Sequence, residues 1–324
     1  MAARRRETGL MRGFLPGLAV ILAAAPCAAA AAPGPAEMLR ACEHGAPLCI
    51  VDLHGQRYRL TETLRIDPLH MTLRNGVLDA AGLARGSAAI LVTSDGDAAE
   101  SYDTAPNSLD HLELLGADGV DGIVFDNKDD SNIRAADLTV ENVSVSGFRR
   151  GITFGNHAYG VGLSHMQVHN NEIGIYTVPH AVDAGERITF EDTGIFNNRI
   201  GIDDEGGMEI DWLGCRWDYN GTTAIIAGLF TFDGHIETEI SSHPVIELRA
   251  VEGQIAGALY MSAGSFVLMN HSGGKAGGDY WISSTSPYNA VQFPASTYGV
   301  RGRVAVMQGP GAVYGPALPA FRPR

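Results

Sequence analysis

The 324-residue sequence predicts an all-β fold, a single-stranded right-handed parallel β-helix with a short N-terminal cap. Three observations carry that expectation. Four stretches between residues 138 and 225 superpose without gaps. Inside each, apolar residues, many of them β-branched, recur with period two, which marks strands rather than helices. The chain also holds 40 glycines, many Asn and Asp, and 45% hydrophobic residues. That composition describes tight turns between buried strands, not disorder.

The four stretches are Leu138–Ile152, Val161–Ile175, Ile188–Ile202 and Asp211–Ile225. Each closes on Gly-Ile or Ala-Ile, at 151, 174, 201 and 224, so the intervals are 23, 27 and 23 residues. Four residues before each pair stand Gly147, Asn170, Asn197 and Asn220. Six before it stand Val145, Val168, Ile195 and Asp218, the last breaking the apolar rule. Eleven before it stand Val140, Leu163, Phe190 and Leu213. A period of this size is that of a solenoid, in which a unit too small to bury its own apolar face stacks on its neighbours. No helix-length amphipathic run separates the strands, which excludes leucine-rich and helical repeats. Asn170, Asn197 and Asn220 are expected to form a ladder at one bend, where short amide side chains satisfy turn backbone groups.

Along the chain, residues 1–31 read as a secretory signal peptide: a basic head with Arg4, Arg5 and Arg6, an apolar run from Phe14 to Ala25, and an alanine-rich tail. The run is too short for a membrane span, and the protein is expected to be secreted or periplasmic. Residues 32–57 are expected to cap the coil, with Pro35–Cys42 as a short helix guarding the terminal edge strands. The coil itself is expected over 58–308. Thr63–Ile66, Met71–Gly82, Ala89–Thr93 and Leu109–Gly116 form its opening rungs, and Ser94–Asn107 is a polar insertion beside them. His235–Ile240, Pro244–Arg249, Ala258–Met261, Ser265–Met269, Asp279–Ile282 and Arg303–Met307 continue it. Residues 309–324, rich in Gly and Pro, are expected to be irregular. In an oxidising compartment Cys42 and Cys49, seven apart, suit a local disulfide, which leaves Cys215 unpaired and buried.

The formal charge of −14 becomes −17 once the signal removes Arg4, Arg5, Arg6, Arg12 and Glu7, a net +3. An acidic chain lacks the positive footprint that nucleic acid or an anionic membrane requires. The charge does not exclude a polysaccharide or oligosaccharide as partner, even an anionic one, because a local Arg cluster can reverse the field in one groove.

The strings Asn170–Ile175 (Asn-Asn-Glu-Ile-Gly-Ile), Asn197–Ile202 (Asn-Asn-Arg-Ile-Gly-Ile) and Leu73–Asp79 (Leu-Arg-Asn-Gly-Val-Leu-Asp) resemble the pectate-lyase-like superfamily of right-handed parallel β-helices. The resemblance implies lyases, glycoside hydrolases, uronate epimerases, esterases or phage-type glycan depolymerases, built as monomers or homotrimers. Asp203-Asp204 resembles the Asp pair that follows a coil strand in polygalacturonases. The Asn-Thr-Asp, Gly-His-Gly and Arg-Ile-Lys strings of that family are absent.

Acidic residues crowd the third and fourth stretches. Stacking one rung on the next places Asp203 over Tyr176 and Thr153, and Asp204 over Thr177. Glycosidic cleavage needs one acid to protonate the leaving oxygen and one carboxylate to activate water or attack carbon. Asp203 and Asp204 are the expected core of such a site, with Asp183 or Glu205 as accessory. Adjacent strand residues face opposite ways, so both can line one groove only at a bend. A solvated acidic turn and a weak Ca²⁺ site are the alternatives; no cofactor is otherwise required. His180, near Asp183, suits a general base for β-elimination, with Arg149, Arg150 or Arg199 neutralising a uronate carboxylate. Tyr176, Trp212, Trp217 and Tyr219 are candidate surfaces for stacking sugars, with Arg199 beside them, although core packing explains such rings equally well. A third reading is a coil that binds glycans without cutting them.

Overall fold

The computed structural model describes residues 33–42, 48–94, 107–127, 135–239, 244–250, 256–269, 280–292, 298–300 and 305–314. Residues 1–31, read above as a signal peptide, and most of the polar insertion lie outside them. The unit from Gly34 onward is a right-handed parallel β-helix. Among the described residues, all strand pairings are parallel and sort into two sheets. Sheet 2 stacks ten short strands in chain order: Leu64–Ile66, Ala88–Val92, Asp121–Phe125, Arg150–Phe154, Ile173–Thr177, Ile200–Asp204, Thr222–Ile226, Ile246–Leu248, Tyr280–Ser284 and Ala305–Gln308. Sheet 1 holds 16 strands and is folded along its length. In the central coils a single left-handed residue breaks each rung: Asn142, His165 and Asp192, with φ of 55°, 52° and 46°. One coil later Gly214 takes that place at φ 67°, and Glu209–Asp218 runs through as one strand.

Why residues alternate in this way is visible in Arg150–Phe154, Ile173–Thr177 and Ile200–Asp204. Ile152, Ile175 and Ile202 stack in register and are fully buried. Their neighbours Gly151, Gly174 and Gly201 lie against the backbone of the next coil. A Cβ on Gly201 would stand 2.5 Å from the Thr223 carbonyl oxygen and 2.9 Å from Asn220. Backbone cannot yield to that contact. Gly201→Ala is expected to lower stability by about 1–3 kcal/mol, measured as a fall in the urea midpoint at unchanged m-value.

The fourth stretch stacks one residue out of the expected register. Ile202 pairs with Ala224, and Phe190 and Ile195 pair with Trp212 and Trp217. The interval after Gly201 is therefore 22 residues, ending at Thr223, and the Ala224-Ile225 pair imitates a Gly-Ile one position late. Because strand side chains alternate, a one-residue slip exchanges inside for outside. Leu213 and Asp218, placed inward by the sequence pattern, point out; Trp212 and Trp217 point in. The bend ladder shifts too. It runs through Asn171, Asn198 and Asn220, not Asn170 and Asn197: the Asn198 carboxamide accepts from Asn171 N at 2.9 Å, and that of Asn220 accepts from Asn198 N at 3.0 Å. Asn170 and Asn197 are the exposed left-handed residues just before it, at φ 55° and 56°.

The core is a continuous apolar column with an aromatic spine. Phe125 stacks on Phe154 at 5.3 Å, Phe190 on Trp212 at 4.2 Å, and Trp212 meets Trp217 edge-on at 5.0 Å. At the N-terminal end the helix Pro35–Cys42 packs Leu39 against the first rung and is joined to it by the Cys42–Cys49 disulfide. Cys215 is buried and free. Coiling begins at Cys49, whose strand Cys49–Asp52 pairs with Met71–Asp79, and not at residue 58. At the other end Ala312–Tyr314 adds a strand inside the stretch expected to be irregular. The Gly-Pro cluster at 309–311 supplies only the turn before it. No helix among the described residues is long and apolar enough to cross a membrane.

Candidate functional site

The outer row of sheet 2 carries the chemistry. Reading up the stack it is Thr153, Tyr176, Asp203, Ile225 and Glu247, each paired to the next. Asp203 follows inward-facing Ile202 and so points outward. It is nonetheless only 7% exposed, and its Oδ1 is buried without a hydrogen-bond partner. Burial pushes the Asp203 carboxyl up to about 6, with nearby Glu205 and Asp204 adding to the shift, while Arg249 and Arg150 oppose it.

Around it the charges are organised across coils. Glu205, in the turn after Asp204, meets Arg249 at 3.3 Å, and Arg249 also holds Glu247 at 2.9 Å. Beside Asp203, the Arg150 guanidinium lies 3.8 Å from the Tyr176 ring centre. Burial raises the Tyr176 hydroxyl above its ordinary value, offset in part by Arg150. Asp203, Glu205, Tyr176, Arg150 and Arg249 thus make one half-covered cluster that mixes acids, a phenol and two guanidinium groups.

Asp204 does not join it. As the next residue on the strand it faces inward and is fully buried. Its Oδ1 accepts from Thr177 Oγ1 at 2.7 Å and from Met208 N at 3.1 Å, and its Oδ2 from Gly228 N at 2.9 Å. Burial raises it to about 6 as well, against those hydrogen bonds. Its work is to tie the turns of two successive coils, so the adjacent Asp pair is divided between surface and interior.

The other expected residues scatter. Trp212 and Trp217 are 0% exposed and belong to the aromatic spine, so neither can meet a sugar. Tyr176 does adjoin Asp203, but Arg150 covers its ring. Arg199, at the opposite end of the strand Ile200–Asp204, pairs with Glu172 at 3.1 Å in solvent. Tyr219 sits at the Asn-ladder bend and donates to Glu237 Oε1 at 3.0 Å. Asp183 is exposed and lies 3.3 Å from buried His157 Nδ1. His180 is an exposed left-handed turn residue at φ 57° and makes no ion pair with the cluster. Among the described residues no group of three or more His, Cys, Asp or Glu is arranged to hold a metal ion. Sequence reasoning missed Arg249 and Glu247 as partners. They lie 44 and 42 residues beyond Glu205 in the chain, and only the stacking order brings them over it.

The same fold occurs in a phage tailspike. The chain aligns with the enzymatically active domain of bacteriophage CBA120 tailspike protein 4 at a TM-score of 0.56 and 13% identity, covering 82% of this chain and 39% of that one. Tailspike gp49 of Acinetobacter baumannii bacteriophage Fri1, a capsular polysaccharide depolymerase, aligns at 0.43 and 10% identity, over 81% of this chain and 47% of that one. The A-module of Azotobacter vinelandii mannuronan C-5 epimerase AlgE6 aligns at 0.40 and 13% identity, over 87% and 94%. No family model and no curated protein matches the sequence. The likeness is one of fold, and fold does not fix chemistry.

Proposed function

We propose that this chain is a secreted or periplasmic glycan-cleaving enzyme of the glycoside hydrolase type, with Asp203 as proton donor and Glu205 as the second carboxylate. The observation that supports it is Asp203 itself: an outward carboxyl in a water-poor setting, pushed up to about 6, with an unpartnered buried oxygen. A structural acid is ordinarily hydrogen-bonded, as Asp204 is. A carboxyl that holds its proton near neutrality suits donation to a leaving glycosidic oxygen. Glu205, steered by Arg249, is placed in the adjoining turn to activate water or attack the anomeric carbon. Asp204 serves by fixing the turn that carries Glu205.

Incubation with a panel of polysaccharides tests the reading. New reducing ends without an unsaturated, ultraviolet-absorbing product support hydrolysis. An unsaturated product would instead favour a lyase. Turnover is expected to fall as pH rises through about 6, where Asp203 loses its proton. Arg249 opposes protonation of Asp203. Arg249→Ala is therefore expected to move that alkaline limb upward, and a limb that stays or moves down would remove Arg249 from the site.

A further inference from the structure

Beyond the cleavage site the molecule displays one large apolar side chain almost free of contacts. Tyr288 is 82% exposed, the most exposed of the large hydrophobic residues described. It stands on a turn that is held with unusual thoroughness. Asn289 is fully buried; its Nδ2 donates to Leu248 O and Ser284 Oγ, both at 2.9 Å, and its Oδ1 accepts from Gly257 N at 3.0 Å. Ser286 is buried, and its Oγ accepts from Tyr288 N at 3.2 Å. Ser284 Oγ donates to Ser286 O, and Thr285 Oγ1 to Leu248 O. Pro287 fixes its own φ. A turn anchored at this many points holds the backbone that carries Tyr288 in place, so little backbone freedom is left to lose on binding.

Its place in the coil is as telling as its exposure. Asp204, Ile226, Leu248 and Ser284 stack in register as the last strand residues of successive rungs of sheet 2. The residues just after them, Glu205, Ala227, Arg249 and Thr285, therefore follow one another along the same edge. Tyr288 thus lies on the edge that carries Glu205, three coils on, which is about 14 Å at the spacing of paired strands.

We propose that Tyr288 is a distal sugar-stacking site, and that the substrate is an extended polysaccharide lying along the coil axis from Tyr288 to the Asp203–Glu205 cluster. This deepens the cleavage reading and rests on it for the location of the reacting end. A pyranose has an apolar face that a tyrosine ring can cover and hydroxyls that stay in water at the rim. Between the two ends stands Arg249, whose side chain is 36% exposed and can donate hydrogen bonds to a chain.

The test uses the full chain in native gels cast with dextran, hydroxyethyl cellulose, alginate or polygalacturonate. Retardation of the unmodified protein by at least one of these is expected. Tyr288→Ala should weaken it about tenfold, with Tyr288→Trp retaining it, and unchanged circular dichroism in both; a tenfold loss corresponds to 1.4 kcal/mol. On the retarding polymer Tyr288→Ala should raise KM and spare kcat, with no change for di- or trisaccharide fragments. Equal retardation of Tyr288→Ala, or no retardation of the unmodified protein by any polymer, overturns the proposal. So does conversion of an oligomer to a monomer by Tyr288→Ala with retardation intact, which would make the turn a contact between copies. Asp203→Asn separates the two readings. If it is retarded normally yet still turns over, the cleavage assignment fails while the Tyr288 site stands.

Discussion

Replacement of Asp203 by Asn is expected to lower turnover about 10²- to 10⁴-fold, the usual contribution of a positioned proton donor, while stabilising the protein at neutral pH. Both effects come from one fact, a carboxyl forced out of water. Asp203 has a folded-state value of about 6 against an ordinary 3.8. Folding therefore takes up a proton over that interval. The stability that protonated Asp203 contributes is complete below about pH 4 and is lost as pH rises through about 6. Asn carries no charge at any pH and escapes the loss. Near pH 7.5 the variant should be more stable by about 1–2 kcal/mol; two pKa units bound the effect near 3 kcal/mol, and the buried oxygen stays unpartnered in either residue. Thermal denaturation between pH 4 and 8 would show the unmodified protein losing more stability than the variant, which keeps only the loss that Asp204 contributes. A variant equally sensitive to pH would assign that loss to Asp204, which titrates in the same range from the interior. Full turnover by Asp203→Asn would remove the catalytic assignment. Reduced turnover with reduced stability would make Asp203 a structural residue.

What the sequence could and could not disclose follows from the geometry of a coil. Period-two patterning and the recurring Gly-Ile made strands and stacking legible, because the close approach at Gly151, Gly174 and Gly201 tolerates no side chain. The register of the first three rungs was legible for the same reason. The fourth was not: Thr223 stands where Gly would have marked the position, and Ala224-Ile225 offers a false match one residue later. That single step turned two core tryptophans into apparent sugar platforms. Asn-Asn at 170–171 and 197–198 gave a related ambiguity, since both residues suit a bend and only hydrogen bonding distinguishes them. The division of Asp203 from Asp204 was legible as a condition, for alternation forbids one groove to both unless the strand bends. The strand continues straight to Asp204, and the condition is not met. Arg249 had no local signal at all.

Replacement of Asn198 by Ala is expected to be among the most damaging single changes in the coil, at about 2–4 kcal/mol, because it leaves two or more buried polar groups without partners. The Asn198 Oδ1 accepts from both N and Nδ2 of Asn171, and its Nδ2 donates to Val168 O and to Asn220 Oδ1, all between 2.9 and 3.1 Å. Asn171 in turn accepts from Phe148 N at 2.9 Å, so the ladder crosses four coils at the bend between the two sheets. Loss of the middle member strips the Asn171 backbone N–H and the Val168 carbonyl at a buried bend. Asn170→Gly is the matching control. Asn170 is exposed and left-handed, and Gly147 already fills the equivalent place one coil earlier at φ 78°. A glycine there meets no strain, and the change should fall within about 0.5 kcal/mol. Urea denaturation of the two variants decides the matter. If Asn170→Gly costs as much as Asn198→Ala, the bend is held by its left-handed residues and not by the amide ladder. If Asn198→Ala alone is destabilised, hydrogen exchange should show its protection lost first at Phe148, Asn171 and Asn198. Those amides donate to the ladder, and nearest-neighbour coupling between coils confines the first opening to them.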